Sequence, residues 1–239
     1  MCLYIFIRGG VTMFNEILGL FSAIVTFSLV LLIYRFFGRS GLFVWIGFST
    51  VVANLQVVKT VELLSMTATL GNVMYGTAFL VTDILSEKYG KKEAQKAVWL
   101  GFFTLISLTI VMQIALLFKP HASDFAQPAL ETIFGLLPRI ALGSLLAFVI
   151  SQSLDVHLFH WFKKKFPRDS QLWIRNNGST MISQLIDTLV FTSIAFLGVF
   201  PLHDWIQIFM TTYVLKWIVA MLDTPFVYFA KKISPTYTE

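Results

Sequence analysis

Apolar residues run along this chain in blocks of about 20, broken by short stretches rich in Lys, Arg, Asn, Pro and Gly. A membrane-crossing helix needs about 20 mainly apolar residues. The pattern therefore predicts seven spans, at about 14–34, 42–60, 66–86, 97–118, 137–162, 179–201 and 205–230. The third is the most interrupted, by Asn72, Thr77, Thr82 and Asp83. The fifth is long enough to tilt or to project into water. The longest connection, 119–136, carries His121, Asp124 and Pro128 and is too short for a soluble domain. The predicted fold class is all-α: a polytopic helical membrane protein, with 1–239 as a single integral membrane domain.

Composition agrees. Of 239 residues, 56% are hydrophobic and only 13% charged, with 24 Phe and a mean hydropathy of +0.76. A soluble domain has no interior large enough for that much apolar surface. Cys2 stands alone, so no disulfide framework forms. MCLYIFIRGG lacks the basic start and cleavage site of a signal peptide, and Met13, ahead of the first long apolar run, is a second candidate start.

The net charge of +5 is better explained by topology than by nucleic acid. Arg35, Arg39, Lys88, Lys91, Lys92, Lys96, Lys163, Lys164, Lys165, Arg168, Arg175, Lys231 and Lys232 fall in alternate connections. The connections between those hold only Arg8, Lys59, Lys119 and Arg139. The richer set belongs in the cytoplasm, which puts the C-terminus inside and, with seven spans, the N-terminus outside. The expected location is the plasma or inner membrane, in contact with the lipid bilayer.

Polar residues inside the spans are the candidate chemistry. SQSLD (151–155) and SQLID (183–187) each place Gln and Asp three apart, on one helix face. Counted from the predicted cytoplasmic ends, Asp155, Asp187 and Asp223 share one level, roughly 10–12 Å into the membrane. Gln184 lies slightly shallower and Gln152 slightly deeper, with Lys216 and Asn54 nearer the midplane. A charged group at a helix centre costs at least about 2.5–3.5 kcal/mol, so these groups should face each other or a wet cavity among spans two, three, five, six and seven. The plain alternative is helix-to-helix hydrogen bonding. It suits Ser151, Ser183, Thr180 and Thr188 and competes evenly for Gln152 and Gln184. The three buried acids favour a substrate or proton path, and Lys216 either joins them or makes a permanent ion pair. Asp83 lies close to the cytoplasmic end, where it has Lys88 to pair with. Trp99, Trp161, Trp173 and Trp205 are expected in the interface belts.

There is no GxSxG, HExxH, Walker A or Cys-rich metal pattern, and the four His are scattered. No enzyme chemistry, metal site or cofactor is predicted. Any drive from ATP would come through energy-coupling subunits of another chain.

Three stretches then carry a family likeness: FLVTDILSEKYGKKEA (79–94), SQSLDVHLFHWFKK (151–164) and LWIRNNGSTMISQLIDTLVFTSIAF (172–196). They resemble the queuosine-precursor transporter family, YhhQ-like, in the VUT group of vitamin-uptake transporters. The likeness covers about 42–232 as a six-helix core, with 1–41 as an N-terminal extension and extra helix. It implies import of a 7-deazaguanine: 7-cyano-7-deazaguanine (preQ0), its aminomethyl form (preQ1) or queuine, for queuosine modification of transfer RNA. It also implies roles for Thr82 and Asp83, for Gln152, Asp155 and His157, for Asp187 and Thr188, and for Lys216.

Such a ligand matches the residues. A deazaguanine presents two adjacent N–H donors that a carboxylate accepts as a fork, and a carbonyl that wants a donor. Asp155 or Asp187 suits the fork, with Gln152 or Gln184 and Asn54 completing the polar edge, and Phe or Tyr offers a face to the flat ring. Asp83, Lys216 and Asp223 complete the candidate site. The rival reading is an S-component-like substrate-binding subunit of an energy-coupling-factor importer for another vitamin-like heterocycle. An AxxxA contact typical of such subunits is missing from the spans; the nearest, Ala122 and Ala126, lies in a loop. A homo-oligomer stays open.

Overall fold

The computed structural model describes residues 2–63, 65–166 and 172–236; side chains at 2–12, 152, 155–156, 159–160, 163, 172–177, 179–180, 219–220 and 224 lie outside the description. The elements in chain order are α1 (Cys2–Gln56), β1 (Thr60–Leu63), β2 (Met66–Thr69), α2 (Gly71–Tyr89), α3 (Lys91–Leu116), α4 (Gln127–Phe134), α5 (Leu137–Lys165), α6 (Leu172–Phe196) and α7 (Leu202–Lys232). Residues 13–56, 91–116, 127–151 and 202–232 are long and apolar enough to cross a membrane, and 181–196 is a shorter apolar helix. The fold is thus all-α, as expected, with one small hairpin added.

The first two predicted spans are the arms of α1. They meet at Gly38, whose φ of 55° and ψ of −138° lie outside the helical region and are open to a residue without Cβ. A Cβ at Gly41 would meet the Ile33 carbonyl oxygen at 2.7 Å, so the arms turn too tightly for a side chain there. The arms fold back on each other. Asn15 Nδ2 donates to the Glu62 carbonyl at 3.0 Å, close to the far end of the returning arm.

The β1–β2 hairpin corrects the reading of 60–69 as the end of one span and the start of the next. Its antiparallel register pairs Thr60 with Thr69 and Leu63 with Met66 across a two-residue turn. Ser65, in that turn, takes the left-handed conformation, φ 59°. The β-branched residues Thr60, Val61, Thr67 and Thr69 outweighed the helical pattern. The helix read as the third span accordingly begins only at Gly71, as α2, and is not among those long and apolar enough to cross a membrane.

Packing divides the chain into two compact units, 1–137 with 214–239, and 138–213. In the first, both arms of α1, α2 and the end of α7 share a core that includes Phe27, Tyr34, Trp45, Leu80, Ile84, Leu85 and Ala230. Phe27 meets Phe226 edge to face at 5.2 Å, and Trp45 Nε1 donates to Thr77 Oγ1 at 2.9 Å. In the second, α5 and α6 run antiparallel. Arg139 binds the Ile194 and Leu197 carbonyls at 3.1 and 2.9 Å. Ser151 reaches Asp187 midway, and the Phe162 ring lies against Gly178 at the other end.

At one end of the first unit, basic residues gather on the tip of the α1 hairpin, the α2–α3 turn and the C-terminus. Lys88 Nζ donates to the carbonyls of Ala230, Lys231 and Ile233 at 3.1, 3.3 and 2.7 Å. It also lies 5.2 Å from the centre of the Tyr34 ring. Lys231 pairs with Glu87 at 2.5 Å and Arg39 with Glu93 at 3.8 Å. The Thr236 amide donates to the Arg35 carbonyl at 2.8 Å. A lysine is well suited to the last carbonyls of a helix, where donors run out and the dipole is negative.

Candidate functional site

Asp187 is the predicted site residue with the most fully drawn surroundings. It sits half-buried in the middle of α6. From α5, Ser151, itself buried, donates its hydroxyl to Asp187 Oδ1 at 3.1 Å. The Ser151 hydroxyl is also 3.2 Å from the Phe148 carbonyl. Buried hydroxyls continue along α6 at Ser183, Thr188 and Thr192. Thr188 bonds back to the Gln184 carbonyl at 2.8 Å and Thr192 to Thr188 at 2.8 Å. A carboxylate beside hydroxyl donors keeps acceptor capacity for an incoming N–H.

The register of this pair changes the expected levels. Ser151, not Asp155, stands opposite Asp187. Asp155 is four residues further along α5, about 6 Å by helix rise, and so falls opposite Ser183 and Gln184. Counting from the ends of the apolar runs misplaced the two acids because both helices outlast those runs. α5 continues through the lysines to Lys165, and α6 has begun by Leu172. The side chains of Gln152 and Asp155 lie outside the described residues.

The other candidates belong to the first unit. Asn54 is buried in the last turn of α1, where its Nδ2 bonds back to the Thr50 carbonyl at 2.7 Å; it is at a helix end rather than mid-span. Asp223 is 4% exposed and Lys216 half-buried, both on α7, with Pro225 interrupting that helix's bonding just beyond. Asp83 is exposed on α2. The expected Asp83–Lys88 pair is not formed, because Lys88 is turned to three carbonyls at and just past the end of α7. Among the described residues no group of three or more His, Cys, Asp and Glu could hold a metal ion.

Sequence reasoning missed the Lys88 clamp and the Arg139 cap, since both bind backbone carbonyls remote in sequence. Near the clamp, Tyr89 lies beyond the span read at 66–86. Burial, helped by its hydrogen bond with Tyr34, pushes its hydroxyl up to about 12.

A family model described as "Putative vitamin uptake transporter" matches residues 69–230. A Bacillus subtilis (strain 168) protein named "Probable queuosine precursor transporter" is 60% identical over 223 residues, 93% of this chain and 97% of that protein. The chain belongs to the vitamin uptake transporter family, among the queuosine precursor transporters. Within this family, the Escherichia coli (strain K12) "Queuosine precursor transporter" is 25% identical over 173 residues, 71% of this chain and 75% of its own. A Haemophilus influenzae protein named "Probable queuosine precursor transporter" is 28% identical over 162 residues, 66% of each chain. No solved structure matches. The family consists of transporters, not enzymes, and this member is a multi-pass membrane protein. The α1 hairpin lies outside the family model, yet the Bacillus subtilis relative matches too much of the chain to lack it.

Proposed function

We propose that this chain imports a queuosine precursor, a 7-deazaguanine such as preQ0, preQ1 or queuine, into the cytoplasm across the plasma or inner membrane. The observation that carries this is 60% identity across nearly all of a relative with that printed name. The α5–α6 pair supplies fitting chemistry. Each of the two motifs, 151–155 and 183–187, carries one acid and one amide, and a deazaguanine edge offers two donors and one acceptor. Asp187, already held by Ser151, or Asp155 takes the N–H fork, and Gln152 or Gln184 meets the carbonyl. Within the first unit, Asn54, Asp83, Lys216 and Asp223 are proposed as further substrate-contacting residues. A ligand without the donors would leave a desolvated acid unsatisfied, which is the basis of selectivity.

The gathering of Arg35, Arg39, Lys88 and Lys231 at one end of the first unit supports a cytoplasmic C-terminus. Proton coupling through one of the acids is part of the proposal. The decisive experiment expresses the chain in a cell unable to make deazaguanines. That cell is fed preQ0, preQ1 or queuine at low concentration, and queuosine is measured in its transfer RNA. Queuosine should return with at least one precursor, and failure with all three removes the reading. In liposomes, uptake indifferent to an imposed pH gradient removes the proton coupling alone.

A further inference from the structure

Helix α2 is sorted into two faces. Thr77, Leu80, Val81, Ile84 and Leu85 are wholly buried within the first unit. On the other side Tyr75, Phe79 and Asp83 recur every four residues, forming one stripe with about 6 Å per step. All three are exposed, Tyr75 by 45% and Phe79 by 36%. The Tyr75 and Phe79 rings meet edge to face, centroids 5.7 Å apart at 75°. An aromatic stripe by itself would be ordinary lipid-facing surface, like Phe103 on α3 at 69% exposure. Asp83 argues against that. It lies five residues, about 7 Å, before Lys88, whose ammonium is fixed on those three carbonyls and turned away from it. A carboxylate facing hydrocarbon is costly even toward a helix end. Exposure to water would spare it that cost.

We infer that the Tyr75–Phe79–Asp83 stripe lines a water-filled path and is a stacking platform for the deazaguanine ring. The flat ring lies on Phe79 beside Tyr75 at one stage of its passage, where Asp83, one turn on, accepts the N–H donors that Asp155 or Asp187 takes at another. This rests on the reading of the chain as a deazaguanine importer. It adds the two aromatics as residues that set affinity for a planar heterocycle, a role that no spacing in the sequence assigns.

The test has two parts. In the uptake assay, Phe79→Leu and Tyr75→Leu should raise the apparent KM about tenfold, as loss of one stacking face does elsewhere. Phe79→Trp should restore it, and Phe103→Leu should leave it unchanged. In parallel, Phe79→Cys, Asp83→Cys and Phe103→Cys are placed singly in a Cys2→Ser background. They are treated with a membrane-impermeant maleimide in open vesicles, with and without preQ0, preQ1 or queuine. Labelling at 79 and 83 but not 103, slowed by a transported deazaguanine, is the expected result. Unreactive 79 and 83, labelling that no transported deazaguanine slows, or an unchanged KM in both leucine variants would overturn the inference. If the unaltered chain imports none of the three compounds, the functional reading falls and the ligand assignment with it. The labels then still report whether the stripe is wet.

Discussion

The hydroxyl of Ser151 on α5 donates to Asp187 on α6, 3.1 Å apart, and so fixes the antiparallel register of the two helices that carry the paired Gln and Asp motifs. Removing the donor takes one hydrogen bond from a half-buried carboxylate. Ser151→Ala should lower stability by about 1–3 kcal/mol, read by thermal unfolding in detergent, and Ser151→Thr should recover most of it. Asp187→Asn keeps an oxygen for Ser151 to bind but loses the charge and the fork. It should fold near normally and lose at least about tenfold in uptake. Equal losses of stability and uptake would mark Asp187 as structural.

Lys88 fastens the C-terminal end of α7 to α2 through three carbonyls. Lys88→Met should speed amide hydrogen exchange selectively at 231–236 and cost about 1–2 kcal/mol. Lys88→Arg, which retains charge and donors, should lie between. Unchanged exchange in Lys88→Met would show that the tail is held by other groups.

The tight turn of α1 depends on two glycines. Gly38→Ala forces a Cβ into a region costing about 1–3 kcal/mol, and Gly41→Ala drives one into the Ile33 carbonyl. Both variants should melt lower than the unaltered chain, and Gly41→Ala has no flexible side chain to yield.

Alkaline pH should loosen the end of the first unit near Tyr89, whose hydroxyl is raised to about 12 from an ordinary 10.0. Because the folded protein holds this proton more tightly than the unfolded chain, the contribution is full below pH about 10. It declines as pH climbs towards 12. Phenolate absorbance would follow the titration, and Tyr34→Phe, which removes the partner hydroxyl at 3.4 Å, should move it downward.

Spans and polar motifs were legible because hydrophobic blocks and a few expensive side chains are local properties. The break between the first two spans was visible around Arg35 to Gly41, and it proved to be one glycine wide. Levels were less legible. Asp155 and Asp187 came out level only because each helix was ended where its apolar run ended, while hydrogen bonding carries both helices on into polar sequence. The 60–69 hairpin was hidden because a short apolar run suits strand or helix alike. Partners such as Lys88 with Ile233 were out of reach, since a lysine after a span reads as a topology signal whichever backbone it later finds.

The two-faced character of α2 has an evolutionary consequence. One side is core and the other is the Tyr75–Phe79–Asp83 stripe. Glu87, Lys88 and Tyr89 at its end each hold a group on α7 or α1, and Asn72 at its start bonds back to Thr69. Little of the helix is left on which substitution is free. In a saturation-mutagenesis survey scored by queuosine in transfer RNA, residues 71–89 should tolerate the fewest replacements, with Ser86 among the few permissive positions.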